Sequence, residues 1–274
     1  MGTKSLLLAA LAVCGTAAAA TQPPPNVQEL IRRSVNAIET DWNEAPNYTF
    51  VERDVESKHD GKPTIKTYQV LMIDGSQYNR LTAMNDQPLT SGEQAEEQRK
   101  LEFEIAKREH ESSRERNKRI AKYQKERNQD SAMLKAMADA FDFQLVGEET
   151  VNRHDCWVLI AKPKPGYQPT NRETKVLTGM TGKLWIDKSA NQWVRVQAEV
   201  IKPVNFYGFF AKVGPGTNFV LEQEPVGDKI WLPKRFSMRV KASALGMFNE
   251  NSTDDETYAD YKPILKGATA AVSK

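Results

Sequence analysis

Apolar residues recur every three or four positions over the first stretch that follows a run of prolines. From Val27 to Trp42 they hold the spacing of one helical face, which predicts an amphipathic helix of about four turns. Asn26 and Glu29 fit the N-cap and its capping partner at the start of this helix. We expect the apolar stripe to cover part of a hydrophobic core.

The period changes to two from Tyr48 onwards, which is typical of strands with one buried face. Three strands are predicted here, over residues 48–56, 64–73 and 77–84. Asp-Gly pairs at 60–61 and 74–75 separate them, and such pairs favour tight hairpin turns. The sequence therefore predicts a helix followed by an antiparallel meander.

A segment of different character follows. We predict a helical insertion over residues 92–141, where no glycine or proline occurs after Gly92, with a capping box of Ser91 and Gln94 and a restart at Asp130. Its apolar residues form a regular stripe only near the end, at Met133, Leu134, Met137 and Phe141. Two interpretations are open: a solvated helical excursion docked at its ends, or an arm that binds a partner protein.

Strands resume after the insertion. They are predicted over residues 143–151, 155–162, 182–187, 192–201, 218–224, 230–243 and 249–261. Roughly ten antiparallel strands and two helical segments indicate a mainly β fold of the α+β class, a curved half-open antiparallel barrel with an N-terminal lid helix. We assign residues 26–265 to this single domain and residues 266–274 to a flexible tail.

The N-terminus has the pattern of a cleavable secretory signal over residues 1–20. A basic residue precedes an apolar run, and four alanines end it. We expect cleavage near Ala20, a proline-rich spacer over residues 21–25 and a periplasmic or secreted mature protein. The residue before Cys14 is valine, which fits lipid attachment poorly, so we expect no lipid-anchored form.

Charge and cysteine usage narrow the class of protein. Removal of the signal takes away one of the 38 basic residues and none of the 36 acidic ones, so the mature chain is nearly neutral. That balance argues against a nucleic-acid binder, which needs a net basic face. Loss of Cys14 leaves Cys156 as the last of the two cysteines. Stability must then come from packing and not from an intrachain disulfide.

No pattern of catalytic or metal-binding residues stands out. His59, His110 and His154 are scattered along the chain, without the spacing of a zinc site. We interpret Cys156 as a buried, inert thiol. Residues 178–183 resemble a phosphate loop only faintly, because the full glycine spacing is missing. We therefore expect no catalytic residue, no bound metal and no cofactor.

Two apolar surfaces are candidates for binding. The aromatic loop over residues 204–213 either packs under a turn or forms a hydrophobic lip at a ligand mouth or membrane surface. The inner side of the curved sheet encloses a cavity for an acyl chain if the first helix fills it only in part. The candidate ligand-binding residues are Leu30, Ile31, Val35 and Trp42 on the helix, Val194, Val196, Ala198, Phe236, Met238 and Val240 on strands, and Phe206, Phe209 and Phe210 in the loop.

Several short motifs resemble one known family. The segment GKLWID at 182–187, followed after a short turn by WVRV at 193–196, is similar to the central hairpin of the periplasmic lipoprotein-carrier superfamily, the LolA/LolB-like fold. KIWLPK at 229–234 and ETYADY at 256–261 resemble its outer-membrane lipoprotein-sorting relatives. The resemblance spans residues 26–261 and implies an unclosed barrel whose helical lid shields acyl chains, without catalysis or cofactor. The long insertion departs from this pattern and favours a divergent member.

Two functions from different classes remain open. The leading one is an exported carrier that binds lipid acyl chains or lipoproteins in a hydrophobic cavity. The alternative is an envelope protein-interaction or stress-sensor module on the same fold, which contacts a partner through the charged insertion. We expect no enzyme, because no acid–base constellation is found, and no nucleic-acid partner.

Overall fold

The computed structural model describes residues 24–58, 61–205, 211–227, 230–244 and 248–264. The predicted signal, the tail and the loop residues Phe206, Phe209 and Phe210 lie outside these ranges. The helices are α1 (Val27–Glu44), α2 (Ser91–Glu109) and α3 (Ser113–Ala140). The strands are β1 (Tyr48–Lys58), β2 (Thr64–Ile73), β3 (Ser76–Met84), β4 (Gln87–Pro88), β5 (Phe141–Val151), β6 (His154–Pro163), β7 (Met180–Asp187), β8 (Trp193–Val200), β9 (Val204–Asn205), β10 (Ala211–Val213), β11 (Asn218–Val226), β12 (Ile230–Ala244) and β13 (Phe248–Pro263).

All strands in the described ranges belong to one antiparallel sheet. Its order is β4-β3-β2-β1-β13-β12-β11-β8-β7-β6-β5, with β9 and β10 attached beside β12. The meanders β1–β4 and β5–β8 occupy the two ends, and β11, β12 and β13 join them in the middle. The end strands β4 and β5 do not pair with each other, so the sheet stays open. The predicted mainly β, half-open fold with helices is confirmed.

The hairpin turns have the backbone that their sequences predict. At Asp74 and Gly75, and again at Asn152 and Arg153, both central residues have a φ between 45° and 87°. Two successive residues in this left-handed region form the two-residue turn whose twist matches the flanking strands. With the turns so marked, each predicted strand boundary lies within two residues of the observed one.

The helix caps agree with the prediction at α1 and differ at α2. Asn26 Oδ1 accepts a hydrogen bond from the Glu29 backbone N–H at 3.1 Å, whereas the Glu29 carboxylate pairs with Arg32 and completes no capping box. The capping box of α2 is formed by Thr90 and Glu93, one residue before the predicted pair. A charged carboxylate accepts the N-cap N–H more strongly than the predicted glutamine amide does.

The insertion is broken where no break was predicted. Three residues separate α2 from α3, and Ser112 and Glu115 form a complete capping box there. The predicted restart at Asp130 is wrong, because α3 runs through it without interruption. A reciprocal cap satisfies the free N–H groups at a new helix start, and no such box interrupts α3.

Two helices cover one face of the sheet, which we call the inner face. The main core cluster joins α1 to β6, β7 and β8, and its buried members are Leu30, Ile31, Ile38, Trp157, Leu159, Leu184, Ile186, Trp193 and Val196. A second cluster joins the end of α3 to the same strands and to the 3-10 turn Glu173–Gly179. The prediction that the first helix covers a core is confirmed, but α3 shares that role.

The insertion also docks in its middle, at the turn between β2 and β3. The buried Arg108 side chain donates to the carbonyl oxygens of Ile73 at 2.6 Å and Ser76 at 2.9 Å. Its Nε lies 2.8 Å from a Glu104 carboxylate oxygen. From α3, Arg119 donates to Ser76 Oγ at 2.7 Å. The interpretation as a solvated excursion docked only at its ends is therefore wrong.

We expect Arg108→Ala to lower the free energy of unfolding by about 3 kcal/mol, because it leaves buried carbonyl groups without donors and Glu104 without its buried partner. Lys107→Ala is the matched control. Lys107 contacts the same Glu104 carboxylate at 3.1 Å but is largely exposed, so little loss is expected. Urea unfolding measures both variants, and equal small losses would show that this contact does not hold the insertion.

Candidate ligand-binding site

A β-bulge decides which residues of β8 face inward. Ile186 of β7 pairs with Trp193, whereas the residue before Ile186 pairs with Arg195, so Val194 has no partner in the ladder. The alternation reverses at this point. Val194 is fully buried on the outer face beside Cys156, and Trp193 lies on the inner face instead. The prediction that Val194 lines the inner side is therefore wrong.

A row of small residues crosses the inner face. Ala161, Gly182 and Ala198 lie directly opposite one another on β6, β7 and β8, and Phe219 of β11 continues the row. A Cβ at Gly182 would lie 2.8 Å from the carbonyl oxygen of Gln197, so glycine is required there. The glycine of the GKLWID motif thus lets β7 and β8 approach, and the row leaves free space above the sheet.

That space is an apolar cavity of about 410 Å³, a volume that includes the part of it open to solvent. Its lining residues are Met137, Phe141, Phe143, Ala161, Leu177, Met180, Gly182, Lys183, Leu184, Trp193, Val196, Ala198 and Phe219. Lys183 is the charged residue among them, and its ammonium group lies 3.4 Å from the Glu149 carboxylate and over the ring of Trp185 on the outer face. The lining is therefore apolar.

A second apolar cavity lies between α1 and α3, and its volume of about 250 Å³ includes the part open to solvent. It is lined by Val35, Ile38, Glu39, Trp42, Ser131, Leu134, Lys135 and Trp193. The ammonium group of Lys135 and the Glu39 carboxylate, 2.6 Å apart, link the two helices beside it. Trp193 lines both cavities, so its ring lies between the two apolar spaces.

Buried polar contacts fix α1 over these cavities. Trp193 Nε1 donates to Ser34 Oγ at 3.0 Å. Asp41 Oδ2 accepts from Gln192 Nε2 at 2.5 Å and from the Trp231 backbone N–H at 3.0 Å. Burial raises the pKa of the Asp41 carboxyl despite these two hydrogen bonds. The helix is therefore positioned on β8 and β12 by directional contacts as well as by apolar packing.

The predicted ligand-binding residues fall into different places. Val196 and Ala198 line the larger cavity, and Val35 and Trp42 line the smaller one. Leu30 and Ile31 are buried in the core under α1 and line neither. They hold the lid helix in place and offer no surface to a ligand.

The remaining predicted residues lie on β12 or outside the described ranges. Phe236 and Met238 are directly opposite Leu221 and Phe219, so they continue the inner face beyond the cavity. Val240 follows two positions later on the same face. Phe206, Phe209 and Phe210 are not among the described residues, and their part in binding stays a prediction.

Sequence reasoning missed the roof of the larger cavity. Met137 of α3, Leu177 of the 3-10 turn and Met180 at the start of β7 close it. Of these three residues, only Met137 belongs to an apolar stripe that the sequence shows. Ala161 and Gly182 were missed because their absent bulk matters only once the strand register brings them into one row.

Other side chains of reactive or titratable type have structural roles. His154 Nδ1 lies 3.2 Å from Asp187 Oδ2, and hydrogen bonds from Ser189 and Ala190 hold the pKa of Asp187 below its usual value against the effect of burial. Burial raises the pKa of Cys156 to about 12, so its thiol is protonated and unreactive at neutral pH. Within the described residues, no group of three His, Cys, Asp or Glu side chains is arranged to hold a metal ion.

Several solved structures match most of the chain at low sequence identity. A LolA superfamily protein from Nitrosomonas europaea matches with 14% identity and a TM-score of 0.34, covering 88% of this chain and 94% of its own. An outer membrane lipoprotein-sorting protein domain from Vibrio parahaemolyticus matches with 9% identity and a TM-score of 0.34, covering 87% and 94%.

A third structure, the MucA/MucB complex of Pseudomonas aeruginosa, matches with 11% identity and a TM-score of 0.22, covering 87% of this chain and 99% of its own. No family model and no curated protein matches the chain. At such low identities and TM-scores the matches carry no conclusion about function, which has to be argued from the cavity. Among the described residues, no helix has the length and apolar character needed to cross a membrane.

We expect Asp41→Ala to lower the free energy of unfolding by about 3 kcal/mol, because the Gln192 amide and the Trp231 N–H lose their buried acceptor. Asp41→Asn keeps an oxygen acceptor and should lose clearly less. Thr40→Ala, one residue away and exposed, is the control that should change little. Chemical denaturation of the four proteins tests this, and a tolerant Asp41→Ala would show that α1 is held by apolar packing alone.

Proposed function

We propose that this protein is an exported, non-enzymatic carrier that binds an acyl chain of a lipid or lipoprotein in the cavity between α3 and the inner face. The single observation that supports it most is the space over Ala161, Gly182 and Ala198, which is lined by apolar side chains and partly covered by a helix. The predicted signal at residues 1–20 supports a periplasmic or secreted location.

Burial of the chain would supply the driving force for binding. Each methylene transferred from water contributes about 0.8 kcal/mol, so a chain of about ten methylenes gains about 8 kcal/mol before the costs of ordering. A longer chain would extend past Trp193 into the smaller cavity, which has the same apolar character.

A charge inside the cavity should abolish binding. We expect Val196→Glu to eliminate saturable uptake of a fluorescent fatty acid, because an ionised carboxylate cannot be desolvated there without a partner. The matched control is Gln197→Glu, since Gln197 is the next residue on β8 and is exposed. Circular dichroism and the unfolding midpoint confirm that each variant is folded.

Equal uptake by the wild type and a folded Val196→Glu would place binding elsewhere. Absence of saturable uptake by the wild type, under conditions where a known fatty-acid carrier binds the probe, would overturn the carrier proposal.

A larger side chain that fills the cavity should reduce binding without destabilising the fold. We expect Ala198→Leu to reduce acyl-chain affinity at least about tenfold while leaving the free energy of unfolding unchanged or higher, because the new side chain occupies space that is empty in the wild type. Isothermal titration and urea unfolding measure the two quantities. Unchanged affinity with unchanged fold would show that the ligand does not enter this space.

A second candidate function is recognition of an envelope protein through the insertion. One observation favours it: Phe103 on α2 is 70% exposed, whereas Leu101 on the docked side is fully buried. Native mass spectrometry of protein purified from its source envelope separates the two functions. A stoichiometric lipid supports the carrier, and a bound protein that Phe103→Ser releases supports the interaction module.

A further inference from the structure

The inner face changes character at the junction of the two halves of the sheet. Beyond Phe236 and Met238, the next strands in the sheet are β13 and β1, where acidic residues replace apolar ones. Glu256 and Asp254 are directly opposite Phe236 and Met238. Across the next strand pair, Asp54 is opposite Glu256 and Glu56 is opposite Asp254.

Five carboxyl groups therefore share one side of the β1–β13 pair. Glu56 is paired with Lys58, and we call the other four the acidic seam: Glu52, Asp54, Asp254 and Glu256. Like charges directly opposite each other destabilise a strand pair. All four side chains are partly buried, and one carboxyl oxygen each of Asp54 and Asp254 is buried without any hydrogen-bond partner. These oxygens can be satisfied by a proton on the neighbouring carboxyl group.

The elements around the seam supply little compensating charge. On β2, Lys66 is opposite Asp54 and Tyr68 is opposite Glu52. In the described part of the chain, no lysine, arginine or histidine nitrogen comes within 4.0 Å of the four carboxylates of the seam. Glu56, at the end of the seam, is paired with Lys58 at 2.8 Å.

Strands β12 and β13 also supply little charge that could compensate the carboxylates of the seam. The residues of β12 that face the seam are apolar, whereas Arg235 lies on the outer face and pairs with Asp255. On β13, the Tyr258 hydroxyl donates a hydrogen bond to Glu256. Tyr261 donates its hydroxyl to the Pro233 carbonyl oxygen and leaves the carboxylates untouched.

Protonation is the remaining way to relieve this repulsion. Burial, reinforced by Glu256, Asp54 and Asp254, raises the pKa of Glu52 to about 7. Burial and the charges of Glu256 and Asp54 raise the pKa of Asp254 to about 6. Burial also raises the pKa of Glu256. Groups whose pKa is raised by folding stabilise the folded state at low pH, and this stabilisation is lost as the pH rises through about 6 to 7.

We propose that the acidic seam is a pH-sensitive joint between the two halves of the sheet, closed in mild acid and loosened above neutral pH by repulsion between Glu52, Asp54, Asp254 and Glu256. This pH-sensitive joint is independent of the proposed carrier function and does not require any ligand. An exported protein meets changes of external pH that a cytosolic protein does not.

Hydrogen exchange of the full chain, measured by mass spectrometry at pH 6 and pH 8 and corrected for the intrinsic pH dependence of exchange, tests the proposal. We expect protection in β1 and β13 to fall about tenfold at pH 8, whereas protection in the buried strand β6 should fall less. Glu52→Gln combined with Asp254→Asn should retain the protection of β1 and β13 at pH 8.

Asp255→Asn is the matched control. Asp255 lies between Asp254 and Glu256 but faces outward, and the Arg235 guanidinium holds its pKa below the usual value. This variant should keep the wild-type loss of protection at pH 8. The urea midpoint of each variant at both pH values shows that it is folded. Equal wild-type protection at the two pH values, or a double variant that loses protection as the wild type does, overturns the proposal.

Discussion

The structure depends on one constraint. One half of the open sheet has an apolar face, and other elements of the chain must cover that face. Here α1 and the second half of α3 provide the cover, and the strands beneath them, β6 to β8, hold nine of the 16 buried residues of the two core clusters. Burial of this surface is the dominant favourable term in folding. The cover is incomplete over the small residues of β6, β7 and β8, and this defect in packing is the candidate site.

The same constraint explains how the insertion is held on the sheet. A long polar helix has little reason to fold by itself, so it is anchored twice. Arg108 and Arg119 bind the turn between β2 and β3, and the apolar end of α3 packs on the inner face. A segment that looks peripheral in composition thereby supplies the roof of the cavity. The two anchors lie at opposite ends of the sheet, so α3 spans its open side.

Much of this fold is visible in the sequence, and the reasons are local. The period-two patterns and their Asp-Gly or Asn-Arg turns fix the strands, and Asn26 fixes the start of α1. What remained hidden depends on register between distant strands. The bulge that turns Val194 outward, the alignment of Ala161 with Gly182 and Ala198, and the apposition of Asp54 with Glu256 all require pairings that no single segment encodes. Arg108 was also hidden, because its partners are backbone carbonyl groups.

We infer that an acyl chain occupies the space between α3 and the inner face. The most direct test is photocrosslinking with a fatty acid that carries a diazirine on its chain, followed by mapping of the labelled peptides by mass spectrometry. The account predicts labels on Met137, Met180 and Phe219, competed away by unlabelled fatty acid and absent in Ala198→Leu. Labels confined to the outer face or to β2 and β3, or labels that unlabelled fatty acid does not displace, would contradict it.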